Sequence, residues 1–166
     1  MQGPTKGQAF VVRPDEGESY WQPVPANGYA EVRVSQRNLN GDTRFSTGIQ
    51  VIAPHSFIRE HSHDAHEEIL FFYEGRGSVV VDGVEHDVVP GTTVYAGPLV
   101  THKIINDGDE DLKMMWTLLP GGLEDFFEAI GRERQPGEPV PESFPRPDNV
   151  RQIEAETVFS PGSEET

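Results

Sequence analysis

Breaks constrain this chain more than any run of residues does: 17 glycines and 14 prolines are dispersed through 166 positions without a period. Both residues punctuate local structure, so many short elements joined by tight turns are expected and long helices are not. Between the breaks the hydrophobic pattern has period two. In YAEVRVSQ, Ala30, Val32 and Val34 fall on one face and Glu31 and Arg33 on the other, the pattern of a half-buried strand. Further strands are expected over 46–53, from Glu68 through the apolar run 69–73, and over 78–81, 84–89, 92–96, 101–105 and 112–118. Asp82-Gly83 is a hairpin signal and Pro90-Gly91 another turn.

The ends read differently. Residues 9–12 suggest a short first strand, and 13–28, containing SYWQPVPANG, an extended loop whose Tyr20 and Trp21 cover a pocket, the core or a partner subunit. Residues 3–7 and the final acidic residues are expected to fray, and NLNGDTRFS to be a turn or loop. In LPGGLEDFFEAIGRE, Leu123, Phe126, Phe127 and Ile130 fall at i, i+3, i+4 and i+7, one face of a short helix. Gly121-Gly122 opens it and Gly131 closes it. The proline-rich tail then runs extended over the sheets or a neighbour, and 153–158 form a last short element. Short strands followed by one helix imply an all-β antiparallel sandwich or barrel. Three segments are drawn: an N-terminal strand and loop (1–28), a barrel (29–119), and a C-terminal helix with an extended tail (120–166).

Composition removes several function classes. Asp and Glu outnumber Lys and Arg by 28 to 13, for a formal net charge of -15. Such a surface repels phosphate backbones and anionic membranes, so neither nucleic acid nor membrane is an expected partner. With no cysteine, disulfides, thiolate nucleophiles and Cys-ligated metals are excluded. The N-terminus lacks the basic start and apolar core of a secretion signal, and no run of about 18 apolar residues offers a membrane span, so a cytoplasmic location is expected. GxGxxG, P-loop and Ser-centred elbow motifs are all missing.

What chemistry remains is concentrated in REHSHDAHEEILFFYEGRG. In a strand, His61 and His63 point to the same face. His66 and Glu67 are expected in the following turn, exposed. Glu68 begins the run 69–73, and a bend after His63 would set its carboxylate beside both imidazoles on the next strand. Two His and one carboxylate make a metal site that leaves positions open for water or substrate. His102, in VTHKIIN, is the candidate fourth ligand, from another strand of the same wall. Arg59 shares parity with His61 and His63, so it either faces the pocket to hold an anionic substrate or forms a salt bridge at its mouth. Leu70 and Phe72 share the parity of Glu68 and would line the cavity, with Met114 and Trp116 in the wall or the core.

These residues resemble the two motifs of the cupin superfamily. The first is a glycine, five residues, HxH, three or four residues, Glu, six residues, Gly. Here His61, His63, Glu68 and Gly75 match, and the last spacing selects Glu68 over Glu67. The leading glycine is absent, with Pro54-His55 in its neighbourhood. The second motif is Gly, five residues, PxG, two residues, His, three residues, Asn. His102 and Asn106 match its closing half, Asn106 in a turn-stabilising role, while Gly97 and Leu99 replace the usual Pro and Gly. His55, His66 and His86 have no partner spacing. The resemblance implies a double-stranded β-helix (jelly-roll, cupin barrel) with a short C-terminal helix, holding one divalent metal ion per subunit through His61, His63, Glu68 and His102.

The helix GGLEDFFEAIG after the barrel is similar to that of small quercetinase-like cupins. That resemblance implies an Fe(II) dioxygenase acting on a small phenolic, enol or diketone-like substrate with O2; Glu68 and, from its strand parity, Arg59 are the residues expected to serve the reaction. Mn(II), Ni(II), Cu(II) and Zn(II) suit the same ligands. A metal-dependent isomerase, lyase or decarboxylase and a non-catalytic small-molecule-binding cupin stay open beside it. Exposed sheet faces imply a homodimer.

Overall fold

A computed structural model describes residues 6–40 and 44–162. The parts of the frayed terminus, the loop and the acidic tail expected at 1–5, 41–43 and 163–166 lie outside the described residues.

Among the described residues, twelve strands and two helices follow in chain order: β1 (Glu18–Trp21), β2 (Tyr29–Val34), β3 (Ser46–Ile52), β4 (Ser56–Ser62), β5 (Glu67–Glu74), β6 (Gly77–Val81), β7 (Val84–Val88), β8 (Thr93–Ala96), β9 (His102–Asn106), β10 (Leu112–Leu119), α1 (Leu123–Ile130), β11 (Arg132–Glu133), α2 (Val150–Glu156) and β12 (Ser160–Pro161). They build a seven-stranded sheet, β11-β1-β2-β3-β10-β5-β8, and a five-stranded sheet, β12-β4-β9-β6-β7, with every pairing antiparallel. The topology is that of a double-stranded β-helix, but neither sheet closes on itself, so the barrel expected from the sequence is an open sandwich.

Strand parity decides what is buried. Along β10, Leu112, Met114, Trp116 and Leu118 are almost fully buried, and they meet Phe72 and Leu70 of β5 in the core. The alternate residues Ile69, Phe71 and Tyr73 of β5 and Met115 of β10 face outward and stay more than a third exposed. Gly48 of β3 is paired with Trp116 and Val32. A Cβ there would overlap the Glu31 carbonyl and come within 2.7 Å of the indole, so only glycine lets three backbones and the Trp116 ring share that layer.

Three expectations change. Residues 9–12 form no strand; Phe10 and Val11 are exposed. The first strand is instead β1, inside the expected loop, because burying Tyr20 and Trp21 against β2 outweighs the polar residues around them. The single C-terminal helix becomes two. α1 buries Leu123, Phe126, Phe127 and Ile130 as its periodicity predicts. Gly131 does close it, with φ at -95°; its backbone N–H donates to Phe127 O, and a Cβ would press within 2.7 Å of the Trp21 carbonyl. The tail runs back along the molecule, where Val24 N–H donates to Phe144 O at 2.9 Å. It then folds as α2 and β12, which adds a strand beside β4.

Candidate metal centre

His61 lies in β4 and His63 just beyond its end; His102 opens β9 and is paired with His61. All three imidazoles therefore come from one region of the five-stranded sheet. Glu68 belongs to β5 in the opposite sheet, so it meets the histidines across the interior rather than from a neighbouring strand. The turn between His63 and Glu67 carries the chain from one sheet to the other, which the expected bend left open.

The four side chains are buried, and one ligand atom from each lies within 4.8 Å of the other three. Glu68 Oε2 is 2.8 Å from His102 Nε2 and 3.4 Å from His63 Nε2. Among the described residues those three atoms have no hydrogen-bond partner of good geometry, although buried polar atoms ordinarily do. The other nitrogen of each ring is engaged: His61 Nδ1 with Arg59 O at 2.8 Å, His102 Nδ1 with Val100 O at 3.2 Å, and His63 Nδ1 with Val158 O. A carbonyl only accepts, so each Nδ1 carries the proton. Each Nε2 can then offer its lone pair to the centre, the usual outer-shell arrangement around metal-bound histidine. The donor set fits a divalent ion of borderline hardness.

Charge in the site follows from burial and proximity. Burial pushes His61 well below the ordinary imidazole value, and His102 and His63 push it further, so it is free of a second proton. Burial also lowers His63, but Glu68 and the Val158 carbonyl outweigh that and raise it. For Glu68, burial would raise the carboxyl, yet His102 and His63 against it hold it well below the usual carboxylate range. Glu68 is thus an anion before any ion arrives.

Beside these ligands is a cavity of about 50 Å³, room for a few waters. His61 and Glu68 meet an apolar wall of Leu70, Met114, Ile104 and Phe126. Arg59, Arg146 and Phe159 line both this cavity and the groove outside it, and so form the partition between them. Arg59 is buried and ion-paired to Glu154 of α2, with its guanidinium 5.1 Å from the centroid of Phe159. Trp116 lies in the core against Phe127 at 5.4 Å, and Phe72 beneath the sheet.

Other sequence candidates fall outside the cluster. Glu67 is exposed and takes a 2.9 Å hydrogen bond from Tyr95. His66 stands with its ring 6.3 Å from that of His63. His55 pairs with Asp109 at 2.9 Å, and His86 is exposed on β7. Asn106 donates to the carbonyls of Ile52, Ala53 and Glu110 and accepts from Gly108 N–H, pinning the loop before β10 as expected. His55 and Leu99 occupy left-handed backbone at φ 54° and 66°, and both stand where the resemblance places a motif glycine.

Sequence reasoning missed two groups. The segment after α2 seals the site: Phe159 stacks on His61 at 4.2 Å and on Phe126 at 4.5 Å, while Val158 holds His63. No local signal marks a proline-rich tail for that task. Gln50 and Gln22 also line the cavity. Gln50 was detectable, since Ser46, Gly48, Gln50 and Ile52 share one strand face, and Gln50 is its long polar member.

Comparison with known proteins agrees with this fold. Residues 48–118 match the cupin domain family. An uncharacterised protein of Methanocaldococcus jannaschii is 38% identical over 60 residues, which cover 36% of this chain and 48% of that protein, so the match spans about half of the relative's length. A cupin 2 conserved barrel domain protein from Salinispora arenicola aligns with a TM-score of 0.54 and 26% identity, covering 68% of this chain and 90% of the other. The polyketide cyclase RemF from Streptomyces resistomycificus aligns with a TM-score of 0.59 and 15% identity, covering 68% and 80%; that likeness is one of fold.

Proposed function

The chain carries a cupin-superfamily domain over residues 48–118, and from it we propose a metal-dependent enzyme that isomerises, cyclises or cleaves a small enolisable organic substrate without an external oxidant. The observation that carries this reading is the convergence of three imidazoles and one carboxylate at the wall of a largely apolar cavity. A divalent ion bound there supplies Lewis acidity toward a substrate carbonyl or enol oxygen. The residues of the chain do the rest. Leu70, Met114, Phe126 and Phe159 exclude water, which strengthens every charge interaction within. Glu68 accepts and returns a proton at the carbon beside that oxygen. Arg59, fastened to Glu154, holds α2 over the mouth.

The cyclase likeness in fold is compatible with this chemistry and does not select it. The same ligands accept Fe(II), and the resemblance of the barrel and its GG-opened helix to quercetinase-like cupins supports a dioxygenase as the second reading. One experiment separates the two. The chain is purified anaerobically, its metal content measured, and enols, diketones and phenols screened with and without oxygen. Metal-dependent turnover under argon is the expected result. Turnover that consumes dioxygen stoichiometrically assigns the dioxygenase, and ligand binding without turnover in either atmosphere rejects both.

The proposal includes a homodimer. Ile69, Phe71 and Tyr73 of β5, Tyr95 of the edge strand β8 and Met115 of β10 form an exposed apolar patch on the outer face of the seven-stranded sheet. A second copy is the self-complementary partner for such a face.

A further inference from the structure

Gln50 is 6% exposed and lines the cavity, yet no protein group among the described residues bonds its side-chain amide. Buried amides are ordinarily paired, and one left facing a cavity calls for a partner that the fold does not supply. Gln22, 3% exposed, lines the same cavity, and its Nε2 donates to Tyr20 O at 3.2 Å. The sheet register places this polar pair away from the metal ligands. Glu68 is level with Leu118, and Gln50 is level with Met114, four residues along the same strand, or about 13 Å. Apolar Leu70 and Met114 lie on the wall between.

We infer that Gln50, assisted by Gln22, is a neutral polar subsite that takes the distal hydroxyl or carbonyl group of a substrate whose other end meets the ion. An amide both donates and accepts but carries no charge, so the group it selects is neutral and hydrogen-bonding rather than anionic. The subsite rests on the metal-dependent reading above and adds to it a substrate of stated form: a narrow molecule, oxygenated at both ends and apolar between.

Matched probes test it. Co(II)-loaded full-length protein is titrated anaerobically with heptane-2,4-dione and with its 7-hydroxy derivative. The visible bands of cobalt report engagement of the diketone end. The hydroxylated probe is expected to bind on the order of tenfold tighter. In Gln50→Leu that preference falls to near unity, while cobalt content is unchanged. Equal binding of the two probes by the native protein overturns the subsite and leaves the metal reading standing, a comparison that needs no variant to fold. Preference retained in Gln50→Leu also overturns it. If neither diketone perturbs the cobalt bands, the metal-dependent reading fails and takes the subsite with it.

Discussion

Each imidazole at the centre commits one nitrogen to a backbone carbonyl and aims the other inward, so the loss of one ring removes a ligand without opening the core. His61→Ala and His102→Ala, and likewise Glu68→Gln, are expected to lose bound metal by elemental analysis while keeping a native circular dichroism spectrum. Glu67→Gln, altering an exposed carboxylate, is expected to keep its metal; equal loss at positions 67 and 68 would break the ligand assignment. Leu99 raises a separate question. It holds φ 66° with its side chain 67% exposed, so it carries a left-handed backbone that costs about 1–2 kcal/mol for an L-residue and buries little in return. Leu99→Gly relieves that strain at some cost in unfolded-chain entropy. A net gain of about 0.5 kcal/mol is expected in urea denaturation, with the Leu99 N–H bond to His63 O retained.

Among elements, β3 and the C-terminal cover make opposite demands. β3 runs beneath Trp116 only because Gly48 has no side chain, and Gly48→Ala drives a methyl into the Glu31 carbonyl and the indole. A loss of about 2–3 kcal/mol is expected by equilibrium unfolding, at the upper end for overpacking. The cover is held from several points: Glu154 to Arg59, Ser160 Oγ to Asp64 at 2.8 Å, and Gly162 N–H to Glu60 O at 2.9 Å. It supplies both the Val158 carbonyl behind His63 and the Phe159 ring on His61. A chain truncated after residue 149 loses those outer-shell contacts, and its metal affinity is expected to fall about 10–100-fold. Competition with a chromophoric chelator reads this directly; undiminished affinity would show that the cover has no part in the site.

At the scale of the molecule, the apolar patch of β5, β8 and β10 interrupts a surface with net charge -15. Association through this face removes the patch from water without bringing the acidic segments together by necessity. Sedimentation velocity is expected to show a dimer for the native chain and a monomer for Phe71→Glu, which sets a charge at the centre of the face. A native chain that sediments as a monomer at working concentration would end that proposal. The same measurement over a salt series separates apolar association, which persists at high salt, from contacts between charges, which are screened.

Period-two alternation is local, so the sequence alone marked eight short strands, β2, β3 and β5 through β10, and the helix α1 after them, nearly to their ends. Spacing is local too, and HSHDAHEE with THKIIN was enough to pick out four candidate ligands that the fold brings together. Three matters were decided only in three dimensions. Which sheet each strand joins depends on pairing between distant residues, and so Glu68 faces the histidines instead of flanking them. β1 forms because Tyr20 and Trp21 find a buried face against β2, a contact with no trace in the local composition. The tail returns to seal the centre because Phe159 fits between His61 and Phe126, nearly a hundred residues from the first and about thirty from the second. Propensity and parity act over a few neighbouring residues, whereas the energy of burial is settled by whichever surfaces the finished fold sets against each other.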